Sequence, residues 1–359
     1  MRKVGVALSG GVDSAVALYL LLRKGYKVKA FHMKTKEDEF FIKKEVKKKV
    51  CCSPSDTADA VKIARSLGVE MEIVDVRDIF REKVIEPFKR DLLRGLTPNP
   101  CVHCNRYVKF GYFMDYVLSK GFDLFASGHY ARIEYSDKYG KNVVKKGIDR
   151  KKDQSYFLAR IEPWRIEKLL FPNGVYTKEE IRRIAEEAGI HVAKKQESQD
   201  VCFIPDGSLE SFLKDEGVNL KEGEVVTTKG ERVGTHFGYP LYTIGQRKGM
   251  KISKFGRRFY VRNKVPEKNL VVVSDLEEVF FSGLIAENPV WHVDVPKEFK
   301  CVCRVRKKSE EAPATVRLKA NMIEVIFEKK VFAVTPGQIA AFYNGDILLG
   351  GAIIKEGIP

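Results

Sequence analysis

The chain has 359 residues, of which 44% are hydrophobic and 31% charged, with a formal net charge of +16 at pH 7. That composition excludes a disordered chain, and the lack of any apolar run near the roughly 18–20 residues of a membrane span argues against a membrane-spanning helix. The 7 cysteines are too few and odd in number for a disulfide framework, and the first apolar stretch breaks at Gly10-Gly11, so a reducing cytoplasm is the expected compartment.

At roughly 150 residues per domain the length allows two or three domains. Val4–Leu8 reads as a buried strand, Ala15–Leu22 as a helix ending near Gly25, and Val28–Met33 as a second strand. Residues 34–49 hold many lysines and several acids and read as an exposed connection or lid. Ser55–Leu67 is predicted as a helix stopped by Gly68, and Val69–Val74 as a third strand. The spacing of Phe110, Phe113, Met114 and Val117 predicts an amphipathic helix over 106–120, and Leu124–Ser127 a fourth strand. This alternation argues for an open parallel α/β sheet, with ligands at the carboxyl ends of its strands. Thr177 and Glu180 make a capping box before a helix that closes this first domain.

The expected division is 1–205 for the parallel-sheet domain, 206–273 for a small β-rich central domain marked by recurrent glycine, and 274–359 for a C-terminal β-barrel. In the last, Ala314, Val316 and Leu318 alternate with Thr315, Arg317 and Lys319 as in a half-buried strand.

Three segments carry chemistry. Ser9-Gly10-Gly11-Val12-Asp13-Ser14 lies between a strand and a helix, where glycines let the backbone approach an anion and the helix N-terminus attracts it. Ser9 and Ser14 add hydroxyls, and Asp13 is placed to face a magnesium ion. Thr97-Pro98-Asn99-Pro100-Cys101-Val102-His103-Cys104-Asn105 puts a C-x-x-C pair before the 106–120 helix, where a thiolate is favoured. The spacing alone leaves a zinc site with His103 and Cys202, a redox pair, and a nucleophile or cluster ligand all open. Gln199-Asp200-Val201-Cys202-Phe203-Ile204 is weak alone, since cysteine between Val and Phe is usually core. The net charge makes a polyanion a natural partner.

The SGGVDS loop resembles the pyrophosphate loop of the PP-loop ATPases. Together with TPNPCVHCN, ASGHYAR (126–132), KKDQSYFL (151–158), SQDVCFI (198–204), LYTIGQRKG (241–249) and TPGQIAAFYNGDILLGGAII (335–354), in this order, it resembles the tRNA-specific 2-thiouridylase family across nearly the whole chain. The resemblance implies a PP-loop domain, a small central domain and a C-terminal β-barrel. It implies an enzyme that uses ATP and magnesium to adenylate the C2 oxygen of the wobble uridine in tRNA and then replaces that oxygen by sulfur from an upstream donor. It assigns Cys104 as nucleophile and Cys202 as persulfide carrier, linked by a transient disulfide. It assigns Ala7, Leu8, Ser9, Gly10, Gly11, Val12, Asp13, Ser14, Met33 and Gly128 to ATP. It assigns Asn99, His129, Lys152, Asp153, Gln154, Arg306, Lys307 and Gln338 to tRNA.

The chain departs from the common family pattern at Cys101, where many members carry an aspartate assigned to proton transfer, and along residues 34–49. Cys101, Cys104 and Cys202 together open an alternative in which they hold an iron–sulfur cluster. A synthetase acting on a small carboxylate and a non-enzymatic tRNA-binding protein with a zinc-knit loop are the further readings weighed.

Overall fold

Short runs of Val, Ala and Phe build the first sheet. The computed structural model describes residues 1–36, 54–196, 201–204, 207–252 and 258–359, so most of the predicted lid at 34–49 and Ser198–Asp200 of the third segment lie outside the described residues. The strands β1 (Lys3–Ala7), β2 (Lys27–Lys34), β3 (Met71–Asp75) and β4 (Leu124–Ala126) fall where the apolar runs predict them. Two further strands, β5 (Ala131–Ser136) and β6 (Lys141–Lys146), form a hairpin, and the two-residue β7 (Leu169–Leu170) returns to the first sheet. That sheet has the order β3-β2-β1-β4-β7 and is parallel throughout. The order reverses between β1 and β4, the place where an open α/β sheet leaves a crevice at its carboxyl edge.

Helices α1 (Val12–Arg23) and α2 (Pro54–Ser66) pack on one face, where Val4, Val6, Val16, Leu18, Ala60 and Ile63 share a core. On the other face, Phe110, Phe113, Phe125 and Phe31 join a larger core. The predicted 106–120 helix begins earlier than its apolar spacing indicates. Asn99 caps it, accepting from the Val102 N–H at 3.2 Å, and Pro100 occupies its first position. Both are N-terminal signals, because proline lacks the N–H that this position leaves unpaired anyway. The segment runs as Pro100–His103, then π-helical turns over Cys104–Phe113 that are broken by a kink at Gly111 (φ −97°, ψ −112°), then Met114–Ser119. The Thr177 box forms as expected, with Glu180 N donating to Thr177 Oγ1 at 3.2 Å and Thr177 N donating to Glu180 Oε2 at 2.7 Å.

The central sheet joins β8 (Gly223–Thr227), β9 (Arg232–His236), β10 (Lys251–Ile252), β11 (Tyr260–Val265) and β12 (Leu270–Ser274) around Val225, Val233, Val261, Val271 and Val273. The last sheet comprises β13 (Phe280–Trp291), β14 (Glu298–Arg304), β15 (Ala312–Lys319), β16 (Met322–Phe332), β17 (Ile339–Asn344) and β18 (Ile347–Ile358). Pairing of β13 with both β16 and β18 closes it into a barrel, which removes its free edges. The hairpin β5–β6 extends this barrel through Ile347 opposite Lys145. Ile339, Ala341 and Tyr343 on the barrel enter the same core as Phe110 and Phe125, so the first and last domains share apolar packing. Among the described residues no helix is long and apolar enough to cross a membrane.

Candidate active site

The loop after β1 is shaped by Gly10, not by both glycines equally. Gly10 has φ +77°, and a Cβ there would stand 2.1 Å from the Asp56 carbonyl oxygen. Gly11 is extended (φ −98°, ψ 160°) as the N-cap of α1, and a Cβ there would meet only Ser9 Oγ at 3.7 Å. Gly11 therefore opens space toward the site, while Gly10 makes the turn. Ser14 ties the loop: its Oγ accepts from Ser9 N at 3.1 Å and donates to Gly11 O at 3.0 Å. Ser9 is the exposed hydroxyl of the pair, 3.1 Å from Ser14 Oγ.

A cavity of about 280 Å³ opens at this loop, between the ends of β1 and β4. Its wall includes Ala7, Leu8, Ser9, Gly11, Val12, Asp13, Ser14, Met33 and Gly128. Gly128 is there for close approach, since a Cβ would stand 2.6 Å from the Asp13 carbonyl carbon and 2.8 Å from Ser14 N. The first N–H groups of α1 have no intrahelical acceptor and carry the positive end of the helix dipole, so the cavity suits an anion.

Three residues that the sequence reading missed frame the loop. Lys178 Nζ donates to Asp13 Oδ1 at 2.7 Å, and Tyr130 OH donates to the same oxygen at 2.6 Å. Lys195 Nζ donates to Gly10 O at 3.0 Å and pairs with Asp56 and Asp59, each at 2.6 Å. Burial works against the charge of Lys195, yet bonds to the two aspartates hold its pKa above the usual lysine value. His32 is buried, and desolvation lowers its pKa despite the bond to Leu8. A carbonyl only accepts, so His32 Nδ1 donates to Leu8 O at 2.8 Å, and its neutral Nε2 accepts from Thr57 Oγ1 at 2.9 Å. Asp13, expected to face magnesium, has its carboxylate engaged by Lys178 and Tyr130, and Asp56, the other carboxylate lining the cavity, is paired to Lys195.

The cysteines sit in distinct settings. Because the helix starts at Pro100, Cys101 lies in its first turn and is exposed, while Cys104 lies one turn further in and is half-buried. The favourable helix-end field therefore falls on Cys101 more than on Cys104, contrary to the expectation for a helix beginning at 106. Burial and the nearby Arg160 guanidinium push the His103 imidazole down to about 4. Arg160 is itself buried, donating to Asn288 O at 2.9 Å. Cys202 is half-buried beside Phe203, which inserts among Phe80, Phe88 and Phe212 at ring separations of 5.2–6.0 Å. Cys104 and Cys202 both pack against the large core. The helix of Cys104 also brings Lys109 to the cavity wall, and Phe113 joins it from beyond the kink at Gly111. Among the described residues there is no group of three or more His, Cys, Asp or Glu side chains placed to hold a metal ion. Cys301 and Cys303 are barrel core, where burial pushes the Cys301 thiol up to about 12 and the Cys303 thiol well above its usual range.

Several residues assigned to tRNA by resemblance point inward. His129 is 8% exposed, lies between Phe110 and Phe171 at 5.3 and 5.5 Å, and is kept neutral by burial. It lines the cavity with Lys152 and Gln154, and Gln154 Oε1 accepts from Tyr130 N at 3.0 Å. Asp153 is 3% exposed and accepts from Gly147 N, Ser155 N, Ser155 Oγ and Arg304 at 2.9–3.3 Å. It is a buried joint between the first domain and the barrel. Asp153→Ala is expected to destabilise the protein by about 3 kcal/mol, because the Arg304 guanidinium, only 14% exposed, would lose its carboxylate. Denaturant unfolding checks this, and unchanged stability with weaker tRNA affinity would return Asp153 to the tRNA surface.

Arg306 also faces inward, donating to Ile244 O at 2.8 Å and to Thr335 Oγ1. Burial lowers the pKa of Lys307, with Arg304 adding to the effect. Asn99 Oδ1 caps the helix, and Gln338 Nε2 donates to Thr97 O at 2.7 Å, so both shape the cysteine-bearing segment.

Residues 2–206 match the family described as tRNA methyl transferase HUP domain, 210–275 the tRNA methyl transferase PRC-barrel domain, and 281–354 the Aminomethyltransferase beta-barrel domain. The chain is 84% identical over 356 residues to the tRNA-specific 2-thiouridylase MnmA of Thermotoga sp. (strain RQ2), covering 99% of each. It is 83% identical over 356 residues to its namesake in Thermotoga maritima (strain ATCC 43589 / DSM 3109 / JCM 10099 / NBRC 100826 / MSB8), again 99% of each. With the namesake of Fervidobacterium nodosum (strain ATCC 35602 / DSM 5306 / Rt17-B1) it shares 51% identity over 353 residues, covering 98% of this chain and 99% of the relative. Matched over nearly all of its length by these relatives, with a glycine-shaped loop at a helix N-terminus and half-buried cysteines where the motifs place them, the chain belongs to the tRNA-specific 2-thiouridylase family.

Proposed function

We propose that this protein is an ATP-dependent tRNA sulfurtransferase that converts the wobble uridine to 2-thiouridine in the cytoplasm, with releases of AMP and pyrophosphate. The carrying observation is that the helix from Pro100 up to the kink at Gly111 contributes Cys104 and also Lys109 of the cavity wall. The proposed nucleophile and the wall of the proposed phosphate cradle thus share a structural element. The domain division at about 205 and 273 belongs to the same proposal.

The cradle fits ATP phosphates: the α1 N-terminus faces them, Gly11 leaves the approach open, and Ser9 and Lys109 add donors. Neither Asp13 nor Asp56 offers an unpaired carboxylate, so no step is assigned to magnesium. A uracil C2 oxygen is a poor leaving group, and as AMP it departs readily. Cys202, as a persulfide loaded by an upstream donor, attacks C2 with its terminal sulfur, and AMP leaves. The Cys104 thiolate then attacks Cys202 Sγ. The sulfur–sulfur pair of electrons moves to the base sulfur, leaving 2-thiouridine and a Cys104–Cys202 disulfide that a cellular thiol reduces. An anticodon loop base is unpaired, so turning it out costs little. Methyl transfer, the activity in two of the matching family descriptions, needs neither carbonyl activation nor a sulfur carrier and leaves both cysteines without a role.

The net charge of +16 supports tRNA as partner. Log affinity for tRNA should fall linearly with log salt, by about 0.7–0.9 per phosphate contact. Because Arg306 is bound inward, Arg306→Ala should lower thermal stability and leave that slope unchanged. A slope reduced by about one would place Arg306 on a phosphate.

A further inference from the structure

Lys264 lies on β11 of the central sheet and is 6% exposed. Among the described residues it forms no ion pair, which is unusual for a buried ammonium. Its Nζ instead donates to Tyr242 O at 2.9 Å, Leu96 O at 3.2 Å and Thr97 Oγ1 at 3.4 Å. Three acceptors match the three N–H bonds of an ammonium. Burial pushes its pKa down to about 7. An apolar residue would pack here without that cost, so the polar contacts call for an explanation.

The explanation lies in Leu96 and Thr97, just ahead of the cap of the cysteine-bearing helix. Every polar group of Thr97 is bound by another domain. Its N–H donates to Pro336 O at 2.9 Å, its carbonyl accepts from Gln338 at 2.7 Å, and its hydroxyl accepts from Lys264. Upstream, Tyr239 OH donates to Leu93 O at 2.6 Å. Gly95, at φ +78°, lies so near the central domain that a Cβ would stand 2.8 Å from Pro266 Cγ. Downstream, Pro98 has no N–H to hold itself, and Asn99 begins the helix. Arg306 bridges Ile244 and Thr335, joining central domain to barrel beside this clamp. The segment that sets the start of the helix is thus fixed from outside its own domain.

We infer that Lys264 is a positioning residue for the reaction: through Leu96 and Thr97 it lets the central domain set the placement of the helix that bears Cys104. The inference rests on the reading of Cys104 as nucleophile. Asn99 and Cys104 follow Thr97 within two turns, so a shift of Thr97 is carried into the thiol.

Lys264→Met keeps the length of the stem and removes the donors. In the full-length enzyme it should lower kcat for thiolation about tenfold or more, as expected for misplacement of a reacting group, with KM for ATP changed by less than about twofold. The rate at which iodoacetamide alkylates Cys104, read by mass spectrometry without ATP or tRNA, should change by about threefold or more. Thr97→Val, which removes only the hydroxyl, should shift that rate in the same direction, and the double variant should shift it by less than the sum. If Lys264→Met fails to fold, Thr97→Val carries the test. An unaltered alkylation rate and kcat in the folded variants would overturn the inference, as would additive effects in the double variant. Absence of thiolation by the wild-type enzyme would instead defeat the proposed function, and alkylation would still decide the role of Lys264.

Discussion

Cys104→Ala and Cys202→Ala are each expected to lower 2-thiouridine formation by about 10³-fold or more, the scale of losing a covalent participant. Both side chains are half-buried and both pack on the core that borders the cavity, so alanine removes the sulfur without exposing a large apolar surface. Adenylation should survive, because the phosphate cradle belongs to the β1–α1 loop, so pyrophosphate should still be released in that step and AMP should follow slowly as water hydrolyses the adenylate. Cys303→Ala is the control: its thiol is fully buried in the barrel and held protonated, so the variant should lose some stability and keep its activity. Cys101→Asp separates the sulfur routes. An acid in the first helical turn stabilises by about 0.3–1 kcal/mol, and the enzyme should keep much of its activity in air with a persulfide donor. Loss of iron and activity together would favour a cluster. Mass spectrometry of nucleosides from treated tRNA reads each variant, and normal thiolation by Cys104→Ala would end the assignment of roles.

Gly10→Ala is expected to abolish pyrophosphate release. A residue with a Cβ at φ +77° costs about 1–3 kcal/mol, and here the added carbon would also stand 2.1 Å from the Asp56 carbonyl oxygen. Relief requires moving Asp56 or the loop, and Lys195 binds both, so the strain reaches the cavity wall. Gly11→Ala should behave differently. Its Cβ meets no backbone, so the fold should persist, while the methyl group enters the space left for phosphate and raises KM for ATP. Thermal unfolding with a pyrophosphate-release assay distinguishes the two. Equal effects on stability would contradict the division of labour between these glycines.

The parallel sheet, α1, α2 and the Thr177 box were readable because each depends on local pattern: apolar runs, helical spacing and cap chemistry. The helix start at Pro100 was also written locally, in Asn99 and Pro100, but the apolar spacing at 110–117 pulled the expected boundary inward. The β5–β6 hairpin could not be placed from local pattern, since its partner β18 lies about two hundred residues on. The same holds for the site. Lys178 and Lys195 meet Asp13 and Gly10 across sequence separations of 165 and 185. KKDQ looks like a solvated basic stretch, yet Asp153 is buried by Arg304, a partner 151 residues away. Motif resemblance located Lys152, Asp153 and Gln154 and said less about which way they face; it did not reach Lys178 or Lys195.

The most direct test mixes the purified chain, unmodified tRNA, ATP and a chemical persulfide donor, then measures wobble-position nucleosides and nucleotide products together. The account predicts 2-thiouridine with AMP and pyrophosphate in equal amounts, and none of the three when ATP is omitted. Formation of ADP and phosphate, a methylated uridine, or 2-thiouridine without ATP consumption would contradict it.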